Sequence, residues 1–198
     1  GVEYALLGEG TGVPIAGRVR DFRKPGSRGP VAVVSGSCSP TTERQIRFAE
    51  KHGFEGIALD PGLLVGEQRQ VEIERAVSTG SAVLSAGVSP LFYTALGTET
   101  PGAELQGMGH EIGTALGQIL DRLIKRHTLR RAVVAGGDTS SHAIGQLGIY
   151  ALECLMPLPL SPGSPLCSAH RVDGGVLEVA FKGGQIGGDD YFPLVRDI

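Results

Sequence analysis

Apolar and polar positions follow different rhythms along the chain, and the changes of rhythm mark its elements. Val31-Ala32-Val33-Val34 is an unbroken apolar run rich in β-branched residues, the pattern of a strand covered on both faces. Thr42-Glu43-Arg44-Gln45 matches a capping box, which predicts a helix running to about Lys51 or His52 and stopping at Gly53. Phe54 to Leu59 reads as a second strand. Gln68 to Val77 interleaves charged positions with Val71, Ile73, Ala76 and Val77, a helix closed by Gly80, and Ala82-Val83-Leu84 reads as a third, short strand. The most regular segment is Met108 to His127. There Ile112, Ala115, Leu116, Ile119, Leu120, Leu123 and Ile124 recur at three- and four-residue steps, with Asp121, Arg122, Lys125 and Arg126 outside the stripe. Ala132 to Ala135 gives a fourth buried strand, and a helix is predicted from about Ser140 to Leu155. Met156 to Leu160, carrying Pro157 and Pro159, fits an edge segment or loop, and Val176 to Phe181 is a final strand.

Strands alternating with helices predict a three-layer α/β fold, Rossmann-like, with a mostly parallel sheet and helices on both faces. Residues 1–30 read differently. Val2 to Leu7 has the character of a strand, interrupted by Gly8, Gly10 and Gly12. Arg18 to Pro30, with four arginines, one lysine and two prolines, has the composition of a linker. The expected division is therefore 1–30 as a tail and linker and 31–198 as one compact domain.

Composition narrows the function classes. A net charge of −3, no basic run and 5% aromatic residues give no sequence-independent grip on nucleic acid and little base stacking. The three cysteines, Cys38, Cys154 and Cys167, form no C-x-x-C pair, so a disulfide framework or structural zinc is not expected and a reducing cytoplasm fits. No apolar run has the length of a bilayer span, and no signal peptide is visible. The 31 glycines cluster at the ends of apolar runs, as close backbone approaches require.

Ligands of parallel sheets bind beyond the carboxyl ends of the strands. Three glycine-, serine- or threonine-rich turns are predicted there: Ser35–Thr42, Gly136–Ser141 and Gly183–Gly188. In Ala135-Gly136-Gly137-Asp138-Thr139-Ser140, two glycines stand between a buried strand and a helix start. This turn can offer a phosphate bare N–H groups and the positive end of a helix. It can equally be tight packing with Asp138 or Thr139 as an N-cap. Asp138 suits magnesium bridging or capping better than direct phosphate contact, because two anions repel. Ser35 to Thr42 concentrates hydroxyls that can hold phosphate or ribose, or can simply cap and turn. Cys38 there could act as a nucleophile, although no histidine is placed by sequence to serve it. In the third turn Lys182 could neutralise a phosphate, and Asp189-Asp190 could hold magnesium through water or be a charged tail. Gly12 to Val19 has P-loop glycine spacing but lacks the lysine and hydroxyl, and Gly8-Glu9-Gly10 lacks the third glycine of a dinucleotide fingerprint. The five histidines show no metal spacing, and His110 and His142 fall near helix starts, where a lone histidine is usually surface or cap.

These three turns, in this order, resemble the C-terminal nucleotide-binding domain of the four-carbon acid sugar kinase family, which includes 3-oxo-tetronate and threonate/erythronate kinases. Gly36-Ser37-Cys38-Ser39-Pro40-Thr41-Thr42-Glu43-Arg44-Gln45 matches its G-S-C-S-x-x-T-x-x-Q segment, and Gly136-Gly137-Asp138-Thr139-Ser140 its G-G-[ED]-T-S segment. Lys182-Gly183-Gly184-Gln185-Ile186-Gly187 matches its closing K-[SG]-G-x-x-G, with Asp190 and Phe192 in step. The resemblance implies ATP as cofactor with Mg2+, contacted by Ser37, Ser39, Gly136, Gly137, Asp138, Thr139 and Gly184. The chain departs from many members at Gly183, Gln185 and Ile186, where serine, asparagine and phenylalanine are usual.

The family's acid-sugar site and catalytic aspartate are implied to lie in an N-terminal domain opening with a D-D-x-T-G-like segment, which this sequence lacks; Gly8 to Gly12 resembles that domain's tail. The resemblance thus implies the ATP-binding half of a cytoplasmic kinase that phosphorylates a small acid sugar, inactive alone, with no nucleic-acid or membrane partner and with a homo-oligomer left open. Two other readings stand beside it: a non-catalytic module binding a phosphorylated metabolite, and a hydrolase centred on Cys38 or Ser37.

Overall fold

The computed structural model describes residues 24–97 and 107–198; the strand expected over Val2–Leu7 and the first part of the linker, up to residue 23, lie outside them. In chain order the elements are β1 (Ala32–Ser35), α1 (Pro40–Glu50), β2 (Phe54–Ala58), α2 (Pro61–Val65), α3 (Arg69–Ser85), β3 (Ser89–Tyr93), α4 (Gly109–His127), β4 (Arg131–Ala135), α5 (Gly137–Gln146), β5 (Ile149–Met156), β6 (Leu166–Arg171), β7 (Val176–Lys182) and α6 (Tyr191–Asp197). The seven strands form one sheet in the order β2-β3-β1-β4-β7-β6-β5. The first five in that order are mutually parallel, whereas β6 pairs antiparallel with β7 and with β5. This is the three-layer, mostly parallel α/β fold that the alternation of elements predicts.

Alternate residues of the central strands feed two cores. Ala32, Val34, Ala132 and Val134 face the layer built by α3, α4 and α5. Val31, Val33, Val133 and Ala135 face α1 and α6, through Ile46, Ala49, Tyr191, Phe192 and Val195. Burial on both faces explains why β1 and β4 read as continuous apolar runs rather than alternating ones.

Several predicted elements are corrected. The helix expected to close at Gly80 continues to Ser85 and absorbs Ala82-Val83-Leu84, which is not a strand. Gly80 sits inside it because a Cβ there would lie 2.6 Å from Phe92 Cζ; it marks a close approach, not a stop. The true third strand, β3, was hidden by Pro90, which lies at the second position, where only one ladder donor is lost near the strand end. The helix expected over Ser140–Leu155 is only the first part, α5. Gly148 turns at φ +62°, and the apolar run after it becomes β5, paired with β6. The region after Asp190 is not a bare tail, since Tyr191 and Phe192 are fully buried in α6.

Candidate functional site

The sheet order places β1, β4 and β7 side by side, so the three sequence turns leave adjacent strands at the same edge. The ladder extends one step into them: Gly36 N–H donates to Ala135 O at 3.1 Å, and Gly136 N–H to Lys182 O at 2.8 Å. The parallel pairing of β1, β4 and β7 dictates this convergence, because each strand leaves the sheet at the same end.

Gly136 takes φ +112°, open to glycine, and lets α5 begin at once at Gly137. No side chain caps the helix, so neither Asp138 nor Thr139 is the N-cap. The first helical bond is Ser140 N–H to Gly136 O, 2.9 Å. The N–H groups of Gly137, Asp138 and Thr139 therefore face outward without an acceptor among the described residues. Thr139 is buried and packs its hydroxyl against both glycines: a Cβ would lie 2.1 Å from Thr139 Oγ1 at Gly36 and 2.9 Å at Gly136. A Cβ at Gly137 would meet nothing within 4 Å, so its face is open.

At α1 the cap is Ser39, not Thr42. Ser39 Oγ accepts from Thr41 N–H at 3.2 Å, with Pro40 in the first turn. The helix thus starts three residues ahead of the cap the sequence pattern suggests, and Thr42 is freed for a long-range role. Its hydroxyl donates to Gly184 O at 2.8 Å and accepts from the hydroxyl of the buried Ser37, 3.0 Å away. Ser37 Oγ in turn accepts from Ser39 N–H at 3.3 Å. Gly184 is wedged against this pair: a Cβ there would lie 2.9 Å from Ser37 Oγ and 3.3 Å from Ser39 Cβ. Gln45 Nε2 reaches the carbonyls of Ile186, Gly187 and Gly188 at 2.9, 3.1 and 2.9 Å, tying the third loop to α1. The seven sequence-selected residues thus gather at one edge, with their parts divided. Ser37, Ser39 and Thr139 are committed to holding the loops, while Gly137 and Asp138 face open space.

Lys182 differs from its sequence reading. Its side chain is buried, and its ammonium points into the loops rather than out to solvent, donating to Gly183 O at 2.8 Å, Thr42 Oγ1 at 3.0 Å and Gly184 O at 3.1 Å. Burial pushes its pKa down to about 8. Asp189 pairs with Arg44 at 3.2 Å, and Asp190 is the N-terminal flank of α6.

Beside the uncapped start of α5 lies a cavity of ≈ 480 Å³, lined among others by Gly36, Cys38, Asp138, Thr139, His110 and His142. The start of α4, also without a side-chain cap, borders it through Gly109 and His110. His110 and His142 are not lone surface residues: their Nδ1 atoms are 3.0 Å apart with the rings edge to face, so one donates and the other accepts. Only the packing of α4 on α5 could reveal that pair. Desolvation pushes the Cys38 thiol up, away from the thiolate a nucleophile needs. Among the described residues no group of three or more His, Cys, Asp or Glu could hold a metal, and no helix is long and apolar enough to cross a membrane.

A family model described as a nucleotide-binding C-terminal domain matches residues 32–192. The chain belongs to that family, the C-terminal domain of the four-carbon acid sugar kinases. A 3-oxo-isoapionate kinase of Paraburkholderia graminis is 38% identical over 184 residues, covering 84% of this chain and 38% of that protein. A 3-oxo-tetronate kinase of Methylobacterium radiotolerans is 31% identical over 204 residues, covering 100% of this chain and 46% of that protein. The chain thus spans less than half the length of these curated relatives. In fold it is similar to a domain of unknown function from Bordetella bronchiseptica, solved as a domain-swapped dimer with bound citrate (TM-score 0.68, 21% identity, 86% of this chain and 42% of that one). A Haemophilus influenzae protein shares the fold likewise (TM-score 0.65, 23% identity, 86% and 40%). The matched span runs from β1 to the start of α6 and so includes all three loops.

Proposed function

We propose that this chain is the ATP-binding part of a kinase that phosphorylates a four-carbon acid sugar. Residues 31–198 form the nucleotide domain, and residues 1–30 are the end of a substrate domain plus its linker. The observation that carries the reading is the open start of α5, Gly137-Asp138-Thr139, set beside the Ser37–Ser39 and Gly183–Gly187 loops on adjacent strands. Outward N–H groups at a helix start suit the phosphates of ATP. The names of the similar kinases support phosphoryl transfer to a small sugar-derived substrate.

Ser37, Ser39, Gly136, Gly137, Asp138, Thr139 and Gly184 make up the proposed nucleotide site, in two parts. Gly137, Asp138 and Thr139 offer N–H groups to phosphate oxygens. Ser37, Ser39 and Gly184 keep the loops at the spacing this needs. The donor set suits magnesium arriving with the nucleotide: Asp138 is a lone exposed carboxylate at the cavity, and magnesium commonly takes one or two carboxylates and completes its shell with phosphate and water. Bound there, the ion would neutralise charge on the phosphates. The chain's own contribution is positioning and a fixed field, which is most of what phosphoryl transfer asks of a protein. The residues that orient the acid sugar belong to the other half, and closure of the two halves would exclude water.

Titrating ADP or ATP with magnesium while following the melting temperature tests this; a saturable rise is expected. No rise with nucleotide, but one with a sugar phosphate, would favour the metabolite-binding module instead. The raised Cys38 thiol and the engagement of Ser37 with Thr42 count against a hydrolase centred on either.

A further inference from the structure

We infer that Lys182 is a positioning residue for the nucleotide site, acting from beneath it. Its ammonium turns the Gly183 and Gly184 carbonyls inward, leaving the third loop and the open start of α5 with an excess of positive potential toward a bound phosphate chain. The inference rests on the nucleotide reading and deepens it.

An ammonium has three hydrogens, and here all three are used: Gly183 O at 2.8 Å, Thr42 Oγ1 at 3.0 Å and Gly184 O at 3.1 Å. Every acceptor is neutral. Thr42 is itself held by Gly184 O and Ser37, so Lys182 closes a ring of contacts joining the first and third loops. Both carbonyls that would repel an anion are pointed at the cation instead, which no apolar residue in its place could achieve.

The surroundings leave the charge unbalanced. From α6 the Tyr191 ring faces Lys182, its centroid 5.9 Å from Nζ, and burial pushes the phenol up to about 12, so it stays neutral. From α1 the facing group is the Thr42 hydroxyl. Farther along the same loop Asp189 is paired with Arg44, and Asp190 flanks α6; Asp138 stands at the start of α5, beyond the end of β4, the strand next to β7. None of these carboxylates pairs with Lys182 among the described residues. A buried cation hydrogen-bonded only to dipoles is costly by itself, and a dianionic or trianionic ligand at the same sheet edge is what offsets that cost. The pKa pushed down to about 8 follows from the same burial, and a bound polyphosphate would raise it again. Linkage then makes nucleotide affinity fall as pH rises through the free-state value.

Calorimetric titration of ADP into the chain at pH 7 and pH 9.5, for the unaltered protein, K182M and K182R, tests the inference, with melting curves on the same samples. The unaltered chain should lose about tenfold in affinity between the two pH values, the loss expected when one nearby charge disappears. K182M should bind about tenfold more weakly at pH 7 and show no further fall at pH 9.5. K182R, which keeps its charge throughout, should show no fall either. Should K182M not fold, the unaltered chain and K182R carry the test: pH-independent affinity in the first, or an equal fall in both, overturns the inference. ADP binding that K182M leaves unchanged overturns this inference alone. No ADP binding to the unaltered chain at pH 7 overturns the nucleotide reading, and this inference with it.

Discussion

A methyl group at position 36 would lie 2.1 Å from Thr139 Oγ1, and one at position 136 would lie 2.9 Å from the same atom. The Thr139 hydroxyl is therefore the spacer that sets how closely the β1 and β4 turns approach, and both glycines exist to admit it. Thr139 is buried and β-branched, so it has little rotamer freedom with which to give way. Gly36→Ala should destabilise the chain by about 1–3 kcal/mol, as overpacking does. Thr139→Ala should cost less, and the double variant should be less unstable than the two single effects added together, because removing the hydroxyl makes room for the methyl. Urea unfolding of the four proteins in a double-mutant cycle measures the coupling. A coupling near zero would mean that the backbone, not Thr139, fixes the spacing.

At the scale of elements, α4 and α5 meet through Gly113 and Gly117. A Cβ at Gly117 would lie 2.8 Å from Ala143 Cα and 2.9 Å from its carbonyl oxygen, both backbone atoms that cannot rotate aside. Gly145 lies in α5 and would meet nothing within 4 Å. The same substitution should thus act in opposite directions. Gly117→Ala gains about 0.8–1 kcal/mol of helix propensity but loses more to the clash, whereas Gly145→Ala keeps the whole gain. Thermal melting should show a lower midpoint for the first and a higher one for the second. Because His110 and His142 meet across this same contact, Gly117→Ala should also disturb the mouth of the cavity. The elements themselves were legible where local pattern and final environment agree. The α4 stripe and the buried β1 and β4 runs are such cases. Legibility failed where a glycine or proline was read as punctuation but serves packing, as at Gly80 and Pro90. It failed again after Gly148, where an apolar run without breakers suits helix and strand equally. The candidate site divides similarly. The three turns stood out by composition. The inward course of Lys182, the release of Thr42 from capping and the histidine pair depend on contacts between residues far apart in sequence, which no local pattern encodes.

Over the whole molecule, β4 joins the candidate site to an ionic hub at its other end. Arg131 is fully buried. Its Nε donates to Glu178 on β7 at 2.8 Å, Nη1 to the carbonyls of Val195 and Ile198 at 2.8 and 3.1 Å, and Nη2 to Gly26 O at 2.9 Å. Arg28 adds a second guanidinium to Glu178, 2.7 Å away. One side chain thus fastens the segment ahead of β1 at Gly26, two central strands and the chain's last helix, whose terminal carbonyls need donors. Burial pushes the Glu178 carboxyl up, but hydrogen bonds from Arg28 and Arg131, with their charges, outweigh it and hold the carboxyl below its ordinary value. A carboxyl with a lowered folded-state pKa contributes stability that is fully present above the ordinary value near 4.5 and is lost as pH falls through the folded value. Stability should therefore decline on acidification below about pH 4.5, on the scale of ordinary carboxylate linkage. Glu178→Gln should be less stable at pH 7 yet show a shallower acid slope, because its amide does not titrate. Arg131→Met should be worse than either, at about 3–5 kcal/mol, since it leaves Glu178 buried with one partner and strips the last helix of its donors. Unfolding by urea from pH 7 to pH 3 separates these cases. An acid slope in Glu178→Gln as steep as in the unaltered chain would move the acid sensitivity to other carboxylates and leave the hub a packing element only.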